Sequence, residues 1–200
     1  MHDELRKVYA KLPDAKEAGY KAGDFSYNTG KLRCPTCDGT GQISLDVQFL
    51  PDVDIPCPDC GGSRYGKEAY QIRLPLQVLP DELNELDGES EQDEADELAK
   101  SIDAHDDELS LPEILALTVD QLLALSGNLP SMAVKLRTLS ELGLGYLTLG
   151  EATPALSGGE AQRLKLAGEM HKKQQGALFV FDEPTIGLHP HDVEVLLRVL

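Results

Sequence analysis

Apolar positions at the start of the chain recur at helical spacing. Leu5, Val8, Tyr9 and Leu12 fall on one face, which predicts an amphipathic helix within a mixed segment spanning residues 1–33. The period then shortens to two. Ile43, Leu45, Val47 and Phe49 alternate with polar residues, Leu50-Pro51-Asp52 reads as a turn, and Val53 and Ile55 resume on a return strand. A β-hairpin is therefore predicted inside residues 34–75. Over residues 76–110 the pattern dissolves into acidic sequence, and only Leu98 and Ile102, four apart, allow a short exposed helix at 93–104. Residues 111–155 are Leu-rich and interrupted by Gly127, Pro130, Gly143 and Gly145, which predicts several short helices. In residues 156–200, Ala161, Leu164, Ala167 and Met170 share a helical face. Ala177-Leu-Phe-Val-Phe181 has the length of a buried parallel strand, and Val193, Leu196, Leu197 and Leu200 mark a further helix. The predicted class is α+β or α/β, with the α/β alternation confined to the last fifty residues.

Charge sharpens this division. The 200 residues carry 35 acids and 18 bases, a net −17, which by itself argues against electrostatic capture of nucleic acid. The charge is not evenly spread. Residues 81–109 hold 14 of the acids and one base, Lys100, so 13 of the 17 net charges arise there and the rest of the chain stands at −4. Such a run, poor in aromatic and β-branched residues, reads as a solvated or disordered insertion; the rival reading is an acidic arm that mimics DNA or docks a basic partner. No run of 20 apolar residues is present, so no helix is expected to span a bilayer. The opening Met1-His2-Asp3-Glu4 is polar and acidic, unlike a secretory signal, so a cytoplasmic, reducing location is expected.

All four cysteines lie in two knuckles, Cys34-Pro-Thr-Cys37 and Cys57-Pro-Asp-Cys60, nineteen residues apart. Two residues between thiolates let a tight turn aim both sulfurs at one ion, and two such turns close a tetrahedron around Zn²⁺. Gly39 and Gly61-Gly62 follow the knuckles, where the backbone must turn sharply. Structural zinc held by Cys34, Cys37, Cys57 and Cys60 is the expectation; the alternative is two redox-active or disulfide-bonded pairs, which rarely persist in a reducing compartment. Residues 34–66 carry five acids (Asp38, Asp46, Asp52, Asp54 and Asp59) and only Arg64 as a base, so the module shows no obvious phosphate-binding face. Lys21, Lys31, Arg33, Lys67 and Arg73 would supply one if they fold to the same side. A metal staple for a region with little core of its own is the competing account.

Leu156-Ser157-Gly158-Gly159-Glu160 opens the helix of the last segment. Ser157 and Glu160 fit a capping box. The same geometry serves phosphate binding, because two glycines let an anion approach free N–H groups at a helix N-terminus. Downstream, the apolar strand ends in Asp182-Glu183-Pro184. An acid at the carboxyl end of such a strand is where open α/β sheets bind ligands, and in P-loop hydrolases it holds Mg²⁺. Together the two motifs point to a nucleotide site.

Leu156-Ser-Gly-Gly-Glu-Ala-Gln-Arg163 looks like the signature motif of ABC-type ATPases, and Leu178-Phe-Val-Phe-Asp-Glu-Pro-Thr185 looks like their Walker B strand. With a four-cysteine insert upstream, the chain resembles the UvrA family of excinuclease ATPases, which recognise damage in bacterial nucleotide excision repair. Phe25-Ser-Tyr-Asn28, Phe49-Leu-Pro-Asp-Val53 and Gly143-Leu-Gly-Tyr146 are supporting matches, and the acidic run lies outside the resemblance. Ile186 stands where the family often has Thr.

The resemblance implies a fragment of an ABC-type P-loop ATPase: a zinc β-hairpin, a helical signature domain and part of the ATPase core. It implies that Ser157, Gly158, Gly159 and Glu160 belong to an ATP site shared with an opposite half, that Asp182 binds Mg²⁺, and that Glu183 is the general base. The implied partners are damaged double-stranded DNA, a UvrB-type repair protein and a second copy in a homodimer. His189, in Gly187-Leu188-His189, is read as positional. No G-x4-G-K-[S/T] loop occurs in the 200 residues, so the chain alone is expected to be inactive as an ATPase. Alternatives are a DnaJ-type zinc-binding chaperone module, matched by Cys34-Pro-Thr-Cys-Asp-Gly-Thr-Gly41 but with Arg64 replacing the last glycine of the second unit, and a UvrA-like paralogue in drug resistance. An ABC transporter component has no place for the zinc hairpin.

Overall fold

The computed structural model describes residues 1–45, 53–79, 108–150 and 156–170, with Val180, Thr185 and Val193 as single positions beyond them. The hairpin tip, the acidic run to residue 107, Asp182, Glu183 and all of the predicted strand 177–181 except Val180 lie outside the described residues; Val180 is 86% exposed and not in a strand, against the expectation of a buried one. The chain divides into two structural units, Met1–Leu76 with Glu94–Ala116, and Gln77–Asp93 with Leu117–Leu200. No helix among the described residues is long and apolar enough to cross a membrane.

In the first unit, α1 (His2–Tyr9) buries Leu5 and Tyr9 and leaves Val8 and Leu12 only half-buried, so the predicted apolar face narrows to two residues. A short α2 (Pro13–Glu17) begins on a proline, whose missing N–H costs nothing in a first helical turn. Tyr9 packs against Phe25 at 5.8 Å between ring centroids, and its hydroxyl donates to the Leu109 carbonyl at 2.5 Å. Tyr65 donates to the Phe25 carbonyl at 2.9 Å. Both hydroxyls are thereby satisfied inside the core, as burial of a polar group requires. The predicted hairpin forms from β1 (Gln42–Leu45) and β2 (Val53–Pro56), antiparallel, with Ile43 opposite Ile55 and Leu45 opposite Val53. After a 3₁₀ turn at Lys67–Gln71, β3 (Arg73–Pro75) pairs antiparallel with β4 (Glu108–Ser110). The helix α3 (Leu111–Ala116) follows directly and buries Leu111, Ile114 and Leu115.

In the second unit, α4 (Val119–Ala124) starts with a capping box: Gln121 N–H donates to Thr118 Oγ1 and Thr118 N–H donates to Gln121 Oε1. Residues 77–79 run beside the end of α4, where Leu79 N–H donates to Ala124 O and Gly127 N–H to Gln77 O, both at 2.8 Å. Pro130 opens α5 (Pro130–Leu139), which continues into a π turn at Ser140–Leu144. Met132, Leu136, Leu139, Leu142 and Leu144 bury together. These are the short helices that the Leu-rich pattern predicted, with Pro130 at a start rather than an interruption. The last described element is α6 (Gly158–Met170). Of its predicted apolar face, Ala167 is buried, Ala161 and Leu164 are exposed, and the Met170 side chain lies outside what is described; Gly159 and Arg163 are buried as well. The buried side therefore carries Arg163 between Gly159 and Ala167.

Candidate metal centre and signature helix

The two knuckles fold as a pair with matching backbones. Counting from the second cysteine of each, the residues one, two and four places on all take left-handed φ: Asp38 (52°), Gly39 (84°) and Gly41 (80°) in the first, Gly61 (59°), Gly62 (96°) and Arg64 (72°) in the second. Reciprocal backbone bonds join them, Cys34 N–H to Arg64 O and Cys57 N–H to Gly41 O, each at 2.9 Å. Thr36 donates to Asp59 across the pair. Arg64, a departure from the glycine pattern in the sequence, therefore keeps the glycine conformation. Its guanidinium lies 4.9 Å from the centroid of the Tyr27 ring, a cation–π contact that helps offset the strain of a left-handed side chain. The bare spacing pattern gives no sign of this; the signal available was Tyr27, in the Phe25-Ser-Tyr-Asn28 motif.

The four thiols converge. Their sulfurs all lie within 4.8 Å of one another, with Cys34–Cys57 at 3.9 Å and Cys37–Cys60 at 3.7 Å. A Zn–S bond of about 2.3 Å in a regular tetrahedron sets sulfur separations of about 3.8 Å. A disulfide needs about 2.05 Å, and the cysteines are free. The set therefore fits a four-thiolate ion and not two disulfides. Burial opposes ionisation at Cys37, yet the N–H groups of Gly41 and Gly39, with the Cys34 and Cys60 thiols, outweigh it and bring Cys37 down to about 7. The Gly41 N–H sits 3.3 Å from the Cys37 sulfur. Ile43 of β1 packs on the cysteine cluster, so the hairpin springs from beside the four thiols, with Leu45 and Ile55 exposed above it.

At the other candidate site, the structure brings Ser157, Gly158, Gly159 and Glu160 together at the start of α6. Ser157 N–H donates to Glu160 Oε2 at 2.6 Å and Glu160 N–H donates to Ser157 Oγ at 3.3 Å, so the capping box is formed. The Ser157 side chain also hydrogen-bonds the Glu160 carboxylate. Ser157 and Gly158 are exposed, and a Cβ at Gly158 would meet nothing within 4 Å. An anion therefore has room to reach the first-turn amides. The hydrogen bond from Tyr146 and those from Ser157 hold the Glu160 carboxyl below its ordinary range. Sequence reasoning did not foresee the Tyr146 contact. Asp182 and Glu183 lie outside the described residues.

What the residues define is a chain that joins a four-cysteine knuckle module to a helix opening on Ser-Gly-Gly-Glu. No protein-family model matches the chain. Curated relatives do: UvrABC system protein A of Thermus thermophilus and of Streptococcus pyogenes serotype M6 are each 39% identical over 199 residues, and that of Bacillus subtilis is 40% identical over the same length. Each alignment covers 99% of this chain and 18% of the relative. Among solved structures, UvrA2 from Deinococcus radiodurans superposes with a TM-score of 0.74 at 38% identity, over 98% of this chain and 20% of that one. The chain thus spans about a fifth of the length of the proteins it matches, and along nearly its whole length it is similar to a UvrA segment.

Proposed function

We propose that the chain is the zinc-bearing and signature-bearing part of a UvrA-type ATPase that inspects double-stranded DNA for damage in nucleotide excision repair. The observation that carries this reading is the open, capped start of α6, where Ser157 and Gly158 face solvent within a chain similar to UvrA from end to end. Ser157 Oγ–H and the amides of Gly158 and Gly159 would donate to the γ-phosphate of ATP held on an opposite half. Glu160 keeps those donors in place by capping. Asp182 would hold Mg²⁺, which neutralises charge on the transferring phosphoryl group, and Glu183 would take the proton of the attacking water. Cys34, Cys37, Cys57 and Cys60 would hold one structural Zn²⁺, with no coordination position left open for catalysis.

In this reading ATP turnover belongs to the full-length protein, a cytoplasmic homodimer working with a UvrB-type partner, and the 200 residues alone do not hydrolyse ATP. The DnaJ-type reading accounts for the knuckles but leaves the Ser157–Glu160 start of α6 without a role. The test is ATP turnover and damaged-DNA binding by the full-length protein, as purified and with Ser157→Arg or Glu183→Gln. Both substitutions are expected to abolish turnover. Unchanged turnover in both variants would refute the site, and equal affinity for damaged and intact duplexes would favour a paralogue with another task.

A further inference from the structure

The Gly143-Leu-Gly-Tyr146 motif stands outside the phosphate-facing residues, and the structure places its tyrosine on them. Gly143 turns the chain at the end of the π turn with φ +68°. A Cβ at Gly145 would come within 2.0 Å of the Asp120 carboxylate, so the backbone approaches α4 closely there. Asp120 N–H donates to Gly145 O at 3.1 Å, Val119 N–H to Leu147 O at 2.9 Å and Leu149 N–H to Leu117 O at 3.2 Å. Tyr146 is thereby held between anchored neighbours. Its residue is 59% exposed, so burial gives no reason for an aromatic ring at this position. Its hydroxyl donates to Glu160 Oε1, while the other oxygen of the same carboxylate accepts the Ser157 amide.

Resting on the reading of Ser157 as a phosphate donor, we infer that Tyr146 is a positioning residue for the signature helix: through Glu160 it holds Ser157 in the orientation that meets the triphosphate. With both oxygens occupied, the Glu160 carboxylate cannot rotate away from the Ser157 amide. With Tyr146 lacking its hydroxyl, Oε1 turns to water and the Glu160 carboxylate is held by Ser157 alone. The shifts of the two partners agree with this pairing. The bond to Glu160 is the largest influence raising Tyr146, and the bond from Tyr146 is the largest influence lowering Glu160, so the donor stays protonated and the acceptor ionised at neutral pH. Arg163, 4% exposed, places positive charge beside the Tyr146 hydroxyl, which opposes the rise. Its Nε and Nη1 have no hydrogen-bond partner among the described residues.

The experiment uses the full-length protein with Tyr146→Phe, Ser157→Ala and both together, measuring kcat/KM for Mg·ATP and hydrogen exchange of the peptide that begins α6. Loss of one hydrogen bond predicts a fall in kcat/KM of about 3- to 10-fold for Tyr146→Phe, with an unchanged melting temperature. Because Tyr146 acts through Ser157, the double variant is expected to be no worse than Ser157→Ala alone. Exchange at residues 157–161 rises in Tyr146→Phe. Additive losses in the double variant, or unaltered exchange at 157–161, would overturn the inference, as would loosening spread evenly over α5 and α6. If Ser157→Ala leaves turnover intact, the phosphate reading of Ser157 fails, and with it the inferred catalytic consequence of Tyr146; the exchange measurement then reports on the cap alone.

Discussion

Gly39 offers the sharpest test of how the knuckles are built. Replacing it with alanine adds one methyl group and no charge. Two costs follow from its surroundings. At φ +84° any L side chain meets its own backbone, at about 1–2 kcal/mol. The new Cβ would also lie 1.7 Å from the Tyr27 carbonyl oxygen and 2.9 Å from its carbonyl carbon. Neither is the far end of a flexible side chain, so the backbone must move by more than an ångström, and the sum is about 3–5 kcal/mol. Gly61 supplies the control. It is also left-handed, at φ +59°, but a Cβ there meets nothing within 4 Å, and Asp38 shows that a side chain is tolerated at the equivalent place of the other knuckle. Gly61→Ala should therefore cost only about 1 kcal/mol. Urea unfolding of the zinc-loaded chain, followed at the N-terminal unit, reads both changes. Competition with a chromophoric chelator reads the same energy as affinity, with Gly39→Ala weakening zinc binding by about 150- to 4,000-fold. Equal costs at the two positions, or a Gly39→Ala cost near 1 kcal/mol, would refute the argument that close approach to Tyr27 governs the first knuckle.

Two further expectations are independent of nucleotide. Protein purified under reducing conditions should contain one zinc per chain by elemental analysis, and Cys57→Ser should lose it, because Cys57 is fully buried among the other three thiols and a hydroxyl there neither ionises nor moves to water. His2 should make the N-terminal unit less stable in acid. Burial, followed by the nearby Arg6 charge, lowers its pKa below 6.5, so the unfolded chain takes up the proton first and stability is lost as pH falls from the unfolded value through the folded one. Melting temperatures between pH 7.5 and 5 should show a smaller decline in His2→Gln than in the unsubstituted chain; parallel curves would assign the decline to other groups.

Much of this was legible in the residues because it is local. Two C-x2-C pairs, flanked by glycines and joined by alternating apolar positions, determine a hairpin on a four-cysteine cluster suited to a metal, since turn geometry and strand period need only near neighbours. The capping box at Ser157 and Glu160 is likewise written within four residues. Other features depend on contacts that no local pattern encodes. Arg64 takes a glycine's conformation because the paired knuckles exchange backbone bonds with it and Tyr27 receives its guanidinium. The buried side of α6 is set by Arg163 rather than by Ala161 and Leu164, because what the unit packs against that helix, not its own periodicity, decides which face is covered. Tyr146 meets Glu160 fourteen residues away only because Gly143 and Gly145 bring the chain against α4. The sequence alone determined which groups are present for metal and anion chemistry. The tertiary structure decided which of them are held still, since restraint comes from partners that folding brings from elsewhere in the chain.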